Sequence, residues 1–312
     1  MTADARYYVP AGSHPAGAFE LAVTPDASGL QYATLRILAL APGEEITIAT
    51  GDQEMLVLPL SGGCEVIADG DRMLLAGRHS VFSRVSDFAY VPRDAEATLL
   101  SGDGGRFALP SAPAARRLPV RYGPADEVPV ELRGAGQATR QVNNFCAPDA
   151  FECDRLMAVE VITPAGNWSS YPPHKHDAPG PSEAVLEEIY YFEIDEAERG
   201  SGLAYQRVYS SAPDRQIDVL AEVRSGDTVL VPYGYHGPSM AAPGHHLYYL
   251  NVLAGPAAER SMAFCDDPAH AWIRGSWQSQ QVDPRLPLTS AAEAPAAESS
   301  AAGSSTEEAS CG

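Results

Sequence analysis

The chain has 312 residues and a formal net charge of −20, with 21 Lys plus Arg against 41 Asp plus Glu. It has no basic run that could bind phosphates and no apolar stretch that could span a bilayer, which argues against nucleic acid and membrane as partners. Because the N-terminal MTADARYYVP also lacks the features of a signal peptide, we expect a cytoplasmic protein.

Two stretches of the chain share a strand-rich pattern. Residues 32 to 110 contain short β-forming runs, such as EMLVLPL and FAYVPR, separated by turn signals. Residues 125 to 275 repeat the pattern in runs such as EEIYYFEI and VLVPYGYH, which indicates duplication of one β-barrel unit. The Pro- and Ala-rich residues 109 to 129 predict a connector between the units.

These patterns predict an all-β protein with two barrels in one chain. We place the first barrel at residues 1–118 and the second at residues 119–285. Residues 286–312 form an Ala-, Ser- and Glu-rich tail that we expect to be disordered, because it has too little apolar surface to offset the entropy of ordering. The dispersed cysteines predict unpaired thiols, buried except for Cys311 in the tail.

The first candidate site residues are the two histidines of YPPHKHD. Side chains alternate along a strand, so His174 and His176 project from one face while Lys175 points away. A lone H-x-H pair is more often a half-exposed strand feature than a metal site. In the following EEIYYF, alternation puts Glu187 and Glu188 on opposite faces, so one of the two carboxylates can face the histidines.

A third imidazole comes from the run GDTVLVPYGYH. His236 ends this run just after a Pro-x-Gly turn, which can return the side chain to the mouth of a barrel. Three imidazoles and one carboxylate suit Zn, Mn, Fe or Ni and leave positions open for water or substrate. The combination favours a catalytic metal site, with Glu187 and Glu188 both open as the acidic ligand.

Other polar and aromatic residues of the second unit carry a weaker signal. In AYQRVYS, Gln206 and Arg207 lie on a predicted strand whose polar positions are usually solvated, and an inward orientation is the alternative. The many tyrosines are expected to fill the barrel, although one that faced the metal could offer its hydroxyl to a substrate.

The motifs of the second unit resemble those of the cupins. H-x-H with a following Glu resembles cupin motif one, and Gly226, Pro232, Gly234 and His236 resemble motif two. Eleven residues separate His176 from Glu188, where a typical cupin has three or four. The runs GNWSSYPPHKHD, LEEIYYF, AYQRVYS, VLVPYGYH and YYLNVLAG are similar to the 5-deoxy-glucuronate isomerases of myo-inositol catabolism and, more distantly, to the 4-deoxy-5-hexosulose-uronate ketol-isomerases.

The resemblance implies a bicupin whose second barrel binds one divalent metal, Zn or Mn, with Fe or Ni as alternatives. The implied ligands are His174, His176, Glu188 and His236. The first barrel has no H-x-H pair and is expected to be metal-free. The implied partner is a small sugar acid, and homo-oligomers are common among cupins.

The implied reaction is an aldose–ketose isomerisation of 5-deoxy-D-glucuronate to 5-dehydro-2-deoxy-D-gluconate. A divalent cation can stabilise the enediolate, and a base must move the proton between adjacent carbons. The candidates for the base are Glu187, a tyrosine such as Tyr233, and a metal-bound hydroxide. The substrate carboxylate needs a cation, for which Arg207, Arg140 and Lys175 are candidates, with Gln206 as a further polar contact. The alternatives are an Fe-dependent cupin dioxygenase and an isomerase of a related deoxy-uronate.

Overall fold

The structure is a computed structural model that describes residues 6–196 and 200–292. Its α-helices are single turns, α1 at Pro25–Ser28 and α2 at Ile273–Ser276, and 3₁₀ turns lie at Ala125–Glu127, Gly136–Ala138 and Trp277–Ser279. Within the described ranges, no helix has the length and apolarity needed to cross a membrane. The tail from residue 293 onward, with Cys311, lies outside the described residues.

Strands form almost half of the described residues and helices only a few single turns, so the all-β prediction is confirmed. The first ten strands are β1 (Tyr8–Val9), β2 (Phe19–Val23), β3 (Thr34–Leu40), β4 (Glu44–Ala49), β5 (Gln53–Ala68), β6 (Asp71–Arg78), β7 (Phe88–Val91), β8 (Glu96–Ser101), β9 (Gly105–Pro113) and β10 (Arg121–Gly123). Strands β2 to β10 form one nine-stranded antiparallel sheet.

This first sheet folds back on itself through its longest strand. The early part of β5 pairs with β7 and β9, and its later part pairs with β6 and β8. Gly62 lies at the change of partner with φ +74°, and a Cβ there would meet the carbonyl oxygen of Gly104 at 2.3 Å. Only glycine fits this close approach of two backbones.

The later strands form the part of the molecule that holds the predicted site. They are β11 (Val130–Arg133), β12 (Arg140–Asn144), β13 (Met157–Thr163), β14 (Trp168–Ser169), β15 (His174–Lys175), β16 (Asp177–Gly180), β17 (Glu183–Val185), β18 (Glu187–Ile194), β19 (Ala204–Tyr209), β20 (Asp218–Val223), β21 (Thr228–Val231), β22 (Tyr235–Ala241), β23 (Leu247–Ala254) and β24 (Cys265–Asp266).

Two larger sheets enclose the interior of this second half. One has the order β1-β21-β18-β23-β13-β12-β11, and the other has β20-β19-β22-β15-β24 with β14 on β22. The N-terminal β1 therefore belongs to the sheet of the second half, where Tyr8 is paired with Val229. A buried apolar cluster that includes Phe192, Val208 and Val219 fills the interior of this half and reaches the histidines, since Val208 is the register partner of His236.

The largest apolar cluster lies between the two halves and joins them. Tyr90 of the first half and Tyr191 and Tyr248 of the second are among its buried members. A buried ion pair crosses the same region, since the guanidinium of Arg78 on β6 contacts the carboxylate of Glu160 on β13, with Nη1 3.1 Å from Oε2. Because this buried ion pair has one partner in each half, it couples the stability of the two halves.

The chain continues in contact with this body beyond residue 285. Thr289 is buried, its backbone carbonyl and hydroxyl accept hydrogen bonds from the side-chain amide of Gln141 at 2.9 and 2.8 Å, and Leu288 packs on the apolar cluster. The structure thus places residues 286–292, which we assigned to the tail, against the folded body. The proposed domain boundaries stay predictions.

Candidate metal centre

The site lies where β15, β18 and β22 meet. His174 on β15 is the register partner of His236 on β22, so two residues 62 positions apart are neighbours across one ladder. His176 follows β15 directly, and Glu188 is the second residue of β18. Strand pairing therefore brings together four side chains that the sequence distributes over three segments.

Three of these side chains form a compact cluster. Nε2 of His176 lies 2.9 Å from Oε2 of Glu188, and Nε2 of His236 lies 3.1 Å from the same oxygen. Potential ligand atoms of all three residues lie within 4.8 Å of one another. His174 lies beside this cluster, with its ring centroid 4.5 Å from that of His236 and 6.4 Å from that of His176.

The hydrogen bonds of the imidazoles prepare them for a cation. Each imidazole has its Nδ1 close to a backbone carbonyl. The distance is 3.3 Å from His174 to Pro172, 3.1 Å from His176 to Leu186, and 3.2 Å from His236 to Gly234. Since a carbonyl only accepts, each Nδ1 is a protonated nitrogen, and each ring can present its Nε2 to a cation once that nitrogen carries no proton.

The protein alone leaves this cluster incompletely satisfied. Nε2 of His236 is buried and lies 3.1 Å from the Glu188 carboxylate, but among the described residues it makes no hydrogen bond of acceptable geometry. Such a polar atom in a protein interior requires an explanation. A divalent cation between Nε2 and the carboxylate oxygen would use both lone pairs. The donor set therefore fits a metal ion.

Electrostatics within the cluster favour the required protonation states. Burial alone would raise the pKa of Glu188, but His236 and His176 hold it below its usual range. Burial, together with the neighbouring histidines, lowers the pKa of His174 well below its ordinary value. Burial would lower the pKa of His176 as well, yet its hydrogen bond to Glu188 raises it, so a metal ion there would displace a proton.

A cavity of about 510 Å³ opens in front of the cluster. This volume is in the range of small-molecule sites. Its polar lining includes Ser170, Tyr190, Tyr249 and Asn251, and the hydroxyl of Tyr190 lies 3.1 Å from that of Ser170. The cavity can therefore hold a small, hydroxyl-rich molecule beside the candidate ligands.

Three arginines line this cavity, and they differ in their partners. Arg133 pairs with Glu131 at 2.8 Å, and Arg274 pairs with Asp266 at 2.7 Å. Arg140 is 9% exposed and donates to the carbonyl of Ala138 at 3.1 Å, but no carboxylate of the described residues forms an ion pair with it. Burial, with the charges of Arg133 and Arg274, lowers the pKa of Arg140 to about 10.

The predicted bases lie elsewhere. The carboxylate of Glu187 accepts hydrogen bonds from the backbone N–H groups of Gln31 and Tyr32 in the first half, at 2.8 and 2.7 Å. The hydroxyl of Tyr233 lies 3.3 Å from the carbonyl of Gln216, and Tyr233 does not line the cavity. Alternation along β18 explains the separation, because Glu188 and Glu187 lie on opposite faces of the strand.

Three predicted substrate contacts also lie outside the cavity lining. Lys175 is bound by Asp177 and Glu183, with Nζ 2.7 Å from each carboxylate. Arg207 pairs with Asp218 across β19 and β20. Gln206 is fully buried inside the second half, where its side-chain oxygen accepts a hydrogen bond from the hydroxyl of Ser239.

Sequence reasoning missed several residues of the lining. Alternation puts Tyr249 and Asn251 on one face of β23, which the sequence could show, but their place beside Tyr190 depends on the pairing of β23 with β18. Arg133 and Arg274 carry no local signal, since they lie on an edge strand and a short helix outside the motifs.

Fold and cluster together define a cupin-like protein with a buried His–Glu–His group suited to a metal ion. Residues 7–273 match the model of the KduI/IolB family, and the chain belongs to that family. The prediction from the motifs is confirmed. The chain is 42% identical over 257 residues to the 5-deoxy-glucuronate isomerase of Geobacillus kaustophilus, covering 81% of this chain and 90% of that relative.

Solved structures show the same fold. The crystal structure of an IolB-like protein from Salmonella typhimurium LT2 has a TM-score of 0.78 at 33% identity, covering 86% of this chain and 98% of that chain. A Bacillus subtilis oxalate decarboxylase, studied for its Mn(II) centres, has a TM-score of 0.54 at 13% identity and covers 78% of this chain and 74% of that chain. The second likeness concerns the fold alone.

Proposed function

We propose that the protein is a metal-dependent aldose–ketose isomerase that converts 5-deoxy-D-glucuronate to 5-dehydro-2-deoxy-D-gluconate. Its relative from Geobacillus kaustophilus is named a 5-deoxy-glucuronate isomerase. The observation that carries the proposal is that one cavity is lined by His176 and Glu188 of the His–Glu–His cluster and by a buried arginine with which no described carboxylate forms an ion pair. A sugar acid needs both, one for its reacting oxygens and one for its carboxylate.

The metal ion is proposed to be Zn or Mn, held by His174, His176, Glu188 and His236. Fe and Ni bind the same donor types. When bound, a divalent cation supplies Lewis-acid stabilisation of the negative charge that develops when a proton leaves the carbon next to a carbonyl. Glu187 is not included, because its carboxylate is held by backbone N–H groups of the first half.

Arg140 is proposed to bind the substrate carboxylate. Its guanidinium is already desolvated, so forming the ion pair requires little further loss of hydration, and its fork geometry matches a carboxylate. Binding would also provide a counter-charge, which no carboxylate among the described residues supplies to Arg140. Of the cations predicted from the sequence, Arg140 lines the cavity, whereas Arg207 and Lys175 have carboxylate partners outside it.

A hydroxyl of the cavity is proposed to assist proton movement at the substrate. Tyr190 projects from β18 on the same face as Glu188, and burial raises the pKa of Tyr190 well above its ordinary value, with Glu188 adding to the effect. Tyr190 therefore keeps its proton at neutral pH and can donate to a substrate oxygen. Glu187 and Tyr233 stay predictions for the base.

A cytoplasmic location is proposed because the four cysteines in the described part of the chain are all unpaired. The function is tested with purified protein that is stripped by chelator and reloaded with Zn or Mn. We expect product from 5-deoxy-D-glucuronate by NMR only after reloading. Oxygen uptake with iron, or turnover of a related deoxy-uronate alone, would contradict the proposal in favour of one of the two alternatives.

A further inference from the structure

The seven-stranded sheet ends on an exposed edge beside the cavity. Its last strand, β11, pairs only with β12 among the described strands. Val130 and Leu132 on this strand are 43% and 36% exposed. An unpaired edge with apolar side chains is a template for another strand, and native proteins normally cover or charge such edges.

Exposed apolar side chains are concentrated around this edge. Of ten large apolar residues that are exposed in the described part of the chain, the six in this region are Val130, Leu132, Trp168, Phe264, Trp272 and Val282. Leu132 and Phe264 line the cavity together with Trp277, and Trp277 also lines a neighbouring hollow with Trp168 and Trp272. Trp272 is 69% exposed, and a concentration of exposed apolar side chains marks a candidate interaction surface.

The sequence of the edge strand is complementary to itself. In an antiparallel pairing of two copies about a two-fold axis at Leu132, this residue lies opposite its own copy. Glu131 of each copy then lies opposite Arg133 of the other, which gives two opposite-charge pairs. Within one chain the two side chains already share one face of the strand, with Arg133 2.8 Å from Glu131.

We propose that two copies of this chain associate through β11, so that their seven-stranded sheets join into one continuous sheet. The net charge of −20 disfavours contact between most surfaces of two copies. Around β11, however, Arg133 and Arg274 balance the carboxylates of Glu131 and Asp266 beside the exposed aromatic side chains, so these four side chains carry no net charge. The contact is isologous, as expected for a two-fold dimer, and it does not depend on the isomerase proposal.

The test is a measurement of molar mass and of the dissociation constant by light scattering and analytical ultracentrifugation. The wild-type chain should have twice its monomer mass of 33.1 kDa. Glu131→Arg or Arg133→Glu alone puts like charges opposite each other twice, and should weaken association by roughly 10-fold or more. The double variant E131R/R133E restores both pairs and should return to within about 3-fold of wild type.

Controls separate an interface effect from misfolding. Both side chains lie at the surface, so circular dichroism should show a folded protein in every variant, and Glu96→Arg, an equal change at an exposed position of β8, should leave association unchanged. A wild-type monomer at 100 µM would overturn the proposal. So would a dimer that is insensitive to both single changes, or a double variant that is no better than the single variants.

Discussion

Replacing Arg140 with methionine should raise stability while lowering activity. Burial, with the charges of Arg133 and Arg274, lowers the pKa of Arg140 from its ordinary value to about 10. At about 1.4 kcal/mol per pKa unit, the charge costs the folded state about 3 kcal/mol at neutral pH. The folded pKa lies below the unfolded one, so this cost is complete below pH 10 and is lost only as the pH rises above it.

The same change removes the proposed partner of the substrate carboxylate. Losing one member of a buried charge pair costs about 2–4 kcal/mol, which corresponds to a roughly 30- to 1000-fold decrease in kcat/KM. Urea unfolding measures the first effect, and isomerase kinetics with 5-deoxy-D-glucuronate measure the second. Arg72→Met, at an exposed arginine paired with Glu65 in the first half, is the matched control and should change neither.

Two results would refute the reasoning about Arg140. Wild-type kcat/KM in Arg140→Met would exclude the guanidinium as the carboxylate site. A loss of several kcal/mol in the free energy of unfolding would show that Arg140 stabilises the fold, and that its charge has a partner which the structure does not show.

Three further predictions concern the contacts between the two halves. Arg78→Met leaves the buried carboxylate of Glu160 unpaired and should lower the free energy of unfolding by about 3–5 kcal/mol, measured in urea. Glu187→Gln removes the charged acceptor of backbone N–H groups and should cost about 1–3 kcal/mol while leaving metal content unchanged by elemental analysis. Burial would raise the pKa of Asp154, but hydrogen bonds from Arg116 lower it; Asp154→Asn should therefore destabilise at pH 7, and the difference should vanish as the pH falls below about 4.

Strand alternation allowed the sequence to predict much of the candidate site. It separated Glu187 from Glu188 and grouped His174 with His176, because side chains on a strand repeat every two residues. In the structure, Glu187 and Glu188 indeed lie on opposite faces of β18, one against the first half and one in the histidine cluster. The same rule groups Asn251 with Tyr249 on β23, but only the pairing of β23 with β18 puts these two beside Tyr190.

Contacts between distant segments could not be predicted in this way. Arg207 and Arg140 look alike in sequence, yet Asp218 neutralises one and no described carboxylate pairs with the other. That difference depends on which strands become neighbours, and no local pattern encodes it. The placement of residues 286–292 against the folded body could not be predicted for the same reason, because it depends on the hydrogen bond between Thr289 and Gln141 on β12.

The most direct test is to measure the metal content and turnover of the full chain beside those of His236→Gln. This substitution keeps a polar side chain of similar size but removes the orphaned Nε2. We expect one divalent ion per wild-type chain, and loss of both the ion and the isomerase activity in the variant, with an unchanged circular dichroism spectrum. Full turnover by metal-free wild-type protein would contradict the metal-dependent mechanism.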